Sequence, residues 1–195
     1  SLTEDAVQAL LKRHGSALEM DCTQFHGVTW QSIANTLRSQ VPELAGEVIE
    51  AELQAAFHAG LLETTPPPIR GAPEAVRAVS NRLGTAVVSS SDRASVEHVV
   101  SRLGLSEHFQ HLICAEDTDR SKPDPQCFQI AAARLGVDCA RCLVFEDSVA
   151  GLSAARAAGM RCIAIGRHHP ADRADKVIAD FTELPEGFYM GLGAG

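Results

Sequence analysis

The chain has 195 residues, enough to bury a substantial hydrophobic core as one domain or as one domain with a modest insertion. Its formal net charge is -8 and no Lys/Arg-rich run relieves it, which argues against a nucleic-acid backbone or an anionic membrane surface as a partner. Six cysteines, Cys22, Cys114, Cys127, Cys139, Cys142 and Cys162, lie mostly in apolar stretches, with no signal pattern and no apolar run of membrane-spanning length. The expectation is a soluble protein of a reducing compartment, the cytoplasm. A small anionic ligand stays compatible with the charge, because one lysine and a metal ion dominate at short range.

In chain order, the first sixty residues read as helices. Val7, Leu10 and Leu11 mark one face of the first, with Thr3 as its cap and Gly15 as its stop. Trp30, Ile33 and Leu37 form a second stripe after Thr29, and Leu44, Val48, Leu53 and Phe57 form a longer one ending at Gly60. "ETTPPPIRGAP", Glu63 to Pro73, is a stiff, donor-poor connection and reads as a hinge between domains. Beyond it, helices over 73–83, 93–103, 125–135 and 149–158 alternate with the apolar runs "TAVVSSS", "HLICAE", "CLVFED", "RCIAIG" and "KVIAD". Five short strands joined by helical crossovers predict a doubly wound, Rossmann-like parallel sheet, an α/β core behind a small α-helical unit.

In such a sheet, ligands bind beyond the carboxyl ends of the strands. After Val87-Val88 come Ser89, Ser90, Ser91 and Asp92: one of the last two caps the next helix, and the run of hydroxyls at a helix start suits a phosphate. After the second run, Lys122 stands between Ser121 and Pro123 in a stiffened loop; a lone loop lysine is usually solvated, but here it is placed to meet a phosphoryl group. The third run ends in Glu146 and Asp147, adjacent carboxylates that repel unless a cation or shared proton neutralises them, and oxygen donors favour Mg2+. Asp147 or Ser148 as a simple helix cap is the plainer alternative.

"AVVSSSD", "SKPDP" and "VFEDSVAG", in this order, resemble the second, third and fourth motifs of the haloacid dehalogenase-like superfamily, in its β-phosphoglucomutase and sugar-phosphate phosphatase subgroup. The resemblance extends to residues 1–66 as the subgroup's helical cap and to 67–195 as its α/β core. It implies a Mg2+-dependent phosphoryl-transfer hydrolase for a small phosphorylated metabolite, a sugar, sugar-acid or polyol phosphate. Ser89, Ser90 and the following backbone N–H groups would hold the phosphoryl, with Lys122 bridging it to the nucleophile. Glu146 and Asp147 would carry Mg2+, and the cap would close over the substrate. The family's first motif, a strand ending in Asp-x-Asp that supplies the nucleophile and the acid/base aspartate, is not in this chain; "DTD" at Asp117–Asp119 leads into the lysine loop instead. That strand lies mid-sheet in the family, so its loss would strand backbone groups at about 1–3 kcal/mol each. The native protein is therefore expected to have the motif, and these 195 residues alone to be inactive. The other readings are a phosphomutase, an inactive relative that only binds, and a receiver-type signalling domain. The receiver is disfavoured by where the acidic pair falls. The resembled mutase has an arginine in the loop matching "FHGVTWQS", where this chain has Trp30, so Trp30 is a substrate-facing candidate as well as a packing residue.

Other features are expected to be structural. His26 reads as an ordinary histidine. Cys139-x-x-Cys142 precedes its strand and lacks a second pair; His168-His169 lies on an unrelated loop. "MGLGAG" reads as a flexible tail. Nothing in the pattern fixes an oligomeric state, and a monomer suffices.

Overall fold

Val7, Leu10 and Leu11 lie on one face of α1 (Leu2–Arg13), whose acidic first turn and basic last turn match its dipole. The structure, a computed structural model, describes residues 2–16, 18, 20–25, 28–64, 66–166, 169, 173–185 and 187–192. The chain divides into two units, residues 1–66 and 67–195. In the first, α1 packs with α2 (Trp30–Gln40) and α3 (Glu50–Glu63) around a core that includes Leu10, Leu11, Ile33, Leu37 and Leu53. Thr29 caps α2 by accepting from the Ser32 N–H at 3.4 Å. The third stripe does not run from Leu44 as expected. Pro42, which cannot donate to a continuing helix, opens a 3-10 turn over Pro42–Leu44, and Gly46 turns the chain with φ +88. Leu44 is buried, Val48 is 78% exposed, and α3 starts only at Glu50.

The second unit alternates as the sequence predicts: α4 (Ala72–Ser80), β1 (Ala86–Val88), α5 (Arg93–Arg102), β2 (His111–Ile113), α6 (Gln126–Leu135), β3 (Leu143–Glu146), α7 (Val149–Ala157), β4 (Arg161–Ile165) and β5 (Lys176–Ile178). Every pairing is parallel, and this is a Rossmann-like α/β fold. The five strands form two sheets, however: β1-β2, and β3-β4-β5 with β4 central. Ala86, Val88, Val144, Cys162 and Ala164 point to a core covered by α6 and α7, which runs beneath both sheets. Alternate residues point the other way: Val87 and Leu112 toward Val96 and Val100 of α5, and Leu143, Phe145, Ile163 and Ile165 toward Phe181 and Phe188.

Burial follows pairing. Cys162–Ile165 of β4, flanked on both sides, are buried, each large apolar side chain contributing roughly 2 kcal/mol. β1 and Leu143–Phe145 of β3, hydrogen-bonded to one neighbour strand each, are only half-buried. The C-terminal segment is partly built in: Phe188–Gly191 form a 3-10 turn, Arg82 donates to the Met190 carbonyl at 3.3 Å, and Phe188 and Tyr189 pack on the core, whereas residues 193–195 lie outside the described residues. Among the described residues no helix is long and apolar enough to cross a membrane.

Candidate active site

The strand-end residues of β1 and β3 converge on one lysine. Lys122 is 5% exposed; its Nζ donates to Glu146 Oε2 at 2.8 Å and to the Val88 carbonyl at 3.3 Å, and lies 5.1 Å from the centroid of the Phe128 ring. It thus ties the carboxyl end of β1 to that of β3, although these strands belong to separate sheets. The loop that delivers it is fastened by Gln126, whose Oε1 accepts from the Asp119 and Arg120 N–H groups at 2.9 Å each. Asp124 adds a second clamp, accepting from the Gln126 N–H at 3.0 Å and pairing with Arg120 at 2.9 Å.

Glu146 is 8% exposed and fully engaged. Besides Lys122 on Oε2, its Oε1 accepts from the Ser148 hydroxyl at 2.7 Å and the Ser148 N–H at 3.1 Å. Ser148 in turn caps α7, accepting from the Gly151 N–H at 3.0 Å. A Cβ at position 151 would fall inside the carboxyl group of Glu146, so the absence of a side chain there is what admits the carboxylate to the start of α7. The neighbouring Asp147 side chain reaches solvent. Its pKa is raised, first by loss of hydration among the surrounding protein and then by the Glu146 charge.

At the end of β1, the hydroxyls are arranged as a turn. The Ser91 N–H donates to Ser89 Oγ at 3.1 Å, while the Ser89 N–H pairs with the Ile113 carbonyl at 2.9 Å and extends the β1-β2 ladder. Asp92 caps α5, accepting from the Ser95 N–H at 2.9 Å and its hydroxyl at 2.8 Å. Glu116 accepts from the Arg93 N–H through both oxygens, at 2.9 and 3.1 Å. The backbone donors of Ser89, Ser91, Arg93 and Ser95 therefore have internal acceptors here. A helix start collects acceptors because its first N–H groups lack partners within the helix.

Of the sequence candidates, Ser89, Lys122, Glu146 and Asp147 all lie at the carboxyl ends of β1 and β3 or in the loop joining them through Lys122, with Ser90 next to Ser89 in the chain. Trp30 belongs to the helical unit, where it packs on Phe57 with ring centroids 5.1 Å apart. His26 and His168 lie outside the described residues; His169 is buried. Among the described residues no group of three or more His, Cys, Asp and Glu side chains is gathered for a metal. Ser148, offered by the sequence as a helix cap, does cap α7, whereas Gly151 and Gln126 escaped the sequence reading. Ser148-x-x-Gly151 carried a signal, a capping residue with a glycine one turn on, whereas nothing local marks Gln126 as a loop clamp.

A Rossmann-like α/β unit with these polar groups at its strand ends, preceded by a helical unit, defines a class shared by many enzymes. A family model described as a hydrolase, haloacid dehalogenase-like hydrolase, matches residues 4–159. The chain belongs to the haloacid dehalogenase-like hydrolases. It is similar to validoxylamine A 7'-phosphate phosphatase of Streptomyces hygroscopicus subsp. limoneus, 30% identical over 186 residues that span 92% of this chain and 86% of that protein. It is also similar to a fructose-1-phosphate phosphatase of Escherichia coli, 29% identical over 158 residues, 80% of this chain and 77% of that one. The β-phosphoglucomutase structure from Clostridium difficile superposes with a TM-score of 0.78 over 97% of this chain and 92% of that one; at 21% identity, that likeness is one of fold.

Proposed function

We propose that the protein is a Mg2+-dependent phosphatase of a small phosphorylated metabolite, a sugar, sugar-acid or polyol phosphate, with residues 1–66 as its cap domain and 67–195 as its core. The observation that carries this reading is the buried Lys122 spanning Val88 and Glu146, a cation fixed where two strand ends meet. The phosphatase names of the two relatives support it. The attacking group is an aspartate outside residues 1–195, on a strand that pairs with the open sides of β1 and β3, whose half-buried side chains leave surface for such a neighbour.

In the proposed mechanism the substrate phosphoryl sits against Ser89, Ser90 and Lys122, whose ammonium stabilises charge on the transferring oxygens. The aspartate attacks phosphorus as the ester P–O bond breaks and the alcohol leaves with a proton, giving an acyl phosphate that water then hydrolyses to free the carboxylate and inorganic phosphate. Glu146, held by Ser148, keeps the ammonium in place. The donor set fits a divalent cation as part of a site: Asp147 would be its direct carboxylate, Glu146 the negative neighbour, and the cation would supply neutralisation of phosphate charge. Loss of hydration and then the Glu146 charge raise the Asp147 pKa, and a divalent cation beside the carboxylate would offset both.

The test is Mg2+-dependent phosphate release from a sugar-phosphate panel by protein carrying an Asp-x-Asp strand, compared with Lys122→Ala and Asp147→Asn. Both variants are expected to lose at least about 100-fold in turnover. Release no greater than that of Lys122→Ala would end the phosphatase reading, and unchanged turnover in Asp147→Asn would remove that residue from the metal site.

A further inference from the structure

Cys139 and Cys142 bracket the tight turn that feeds β3. Residues Cys139–Arg141 form a 3-10 turn capped by Asp138, and the Cys142 N–H donates to the Cys139 carbonyl at 3.0 Å. A turn closed in this way holds its end Cα atoms within about 7 Å, and 3-10 geometry brings side chains i and i+3 to the same face. Disulfides span Cα separations of about 4.4–6.8 Å. Cys142 Sγ lies 3.5 Å from the Asp138 carbonyl oxygen, beside the peptide that joins Asp138 to Cys139. Burial, the Cys139 thiol and Asp138 all push the Cys142 thiol up. Accessibility sets the pair apart: Cys22, Cys114, Cys127 and Cys162 are buried, whereas Cys139 and Cys142 are partly open.

We propose that Cys139 and Cys142 form a reversible thiol–disulfide site, closed by exchange with a low-molecular-weight disulfide of the glutathione class. The thiolate of one cysteine attacks the small disulfide, forming a mixed disulfide and expelling one small thiolate. The thiolate of the second attacks the protein sulfur of that mixed bond, forming the Cys139–Cys142 bond and expelling the other small thiolate. Two protein thiols are oxidised, one small disulfide is reduced to two thiols, and the protons lost by the cysteines end on the leaving groups. A bond across so short and open a turn is readily reduced again, as suits a labile rather than a structural disulfide. The packing role expected from sequence persists alongside, since both side chains also touch the core beneath the sheets.

The experiment equilibrates the folded protein with oxidised and reduced glutathione, blocks remaining thiols with a maleimide, and maps the cysteines by peptide mass. Before oxidation, Cys139 and Cys142 should label well ahead of the other four. After it, labelling at both should vanish together, with an internal bond between them, and dithiothreitol should restore both. Cys139→Ser should stop at a glutathione adduct on Cys142, and Cys142→Ser at one on Cys139. Independent glutathione adducts on both cysteines of the unmodified sequence, six thiols persisting in the oxidised sample, or a disulfide to another cysteine would each overturn the proposal.

Discussion

Replacing Lys122 by Met removes the ammonium while preserving much of the stem that packs near Phe128, and so tests whether the lysine is bound into the fold by its charge. With side-chain exposures of 5% for Lys122 and 8% for Glu146, the pair has little solvent to fall back on. Breaking one partner of a buried pair costs about 3–5 kcal/mol, because the other charge is left without its counter-ion. Glu146 keeps its two Ser148 donors at 2.7 and 3.1 Å, which places the expected loss toward the lower end. With a urea slope of about 2 kcal/mol/M, the unfolding midpoint should fall by roughly 1.5 M. Glu146→Gln should also destabilise, by leaving the ammonium buried. The double variant Lys122→Met/Glu146→Gln should lose less than the sum of the singles, by about 1–3 kcal/mol. The assay is urea unfolding followed by far-UV circular dichroism, since the single tryptophan, Trp30, reports on the helical unit. Single losses under about 1 kcal/mol, or additivity within about 0.5 kcal/mol, would refute the coupling.

Two further outcomes follow from the same kind of accounting. Gly151→Ala should destabilise by about 1–3 kcal/mol, as overpacking does, because the new methyl group occupies the Glu146 carboxyl position; thermal melts matching the parent would mean that Glu146 has room elsewhere. In the helical unit, Arg38 holds the Glu50 carboxyl down from 4.5 to about 2, with Gln31 donating at 2.7 Å as well. A depressed carboxylate stabilises the fold above pH 4.5 and loses that contribution as pH falls toward about 2. Tryptophan-detected urea midpoints should therefore decline across that window, and less so in Glu50→Gln; identical acid profiles would exclude Glu50 as a cause.

Much of the fold was legible because it rests on local periodicity. The five apolar runs became the five strands, and Val7, Leu10, Leu11, Ile33 and Leu37 became core. The stripe from Leu44 to Phe57 misled because spacing alone does not register that Pro42 and Gly46 impose a turn, which leaves Val48 outside. The division into two sheets follows from pairing between distant segments, which no local window encodes. At the site, the positions of Lys122, Glu146 and Asp147 after apolar runs were readable as strand-end groups. Their division of labour was not. That Glu146 meets a lysine depends on the loop 24 residues earlier that brings Nζ to 2.8 Å. Gln126, which clamps that loop, looks in sequence like any first-turn helix residue.

That division of labour gives the acidic pair its chemical asymmetry. Two adjacent carboxylates would ordinarily share the task of holding a cation, but Lys122 already neutralises Glu146, and Ser148 takes up its second oxygen. The buried part of the cluster is thus close to neutral, and the unbalanced negative charge is that of Asp147, open to solvent beside it. A phosphate ester approaching these strand ends would meet the Lys122 ammonium with its charge already committed to Glu146, together with the repulsion of Asp147. In the proposed mechanism a divalent cation held by Asp147 would offset both, cancelling the repulsion and adding the positive charge that the committed lysine lacks. The proposed Mg2+ dependence therefore rests on the electrostatics of three side chains, and Asp147, rather than the better-buried Glu146, is the carboxylate on which it turns.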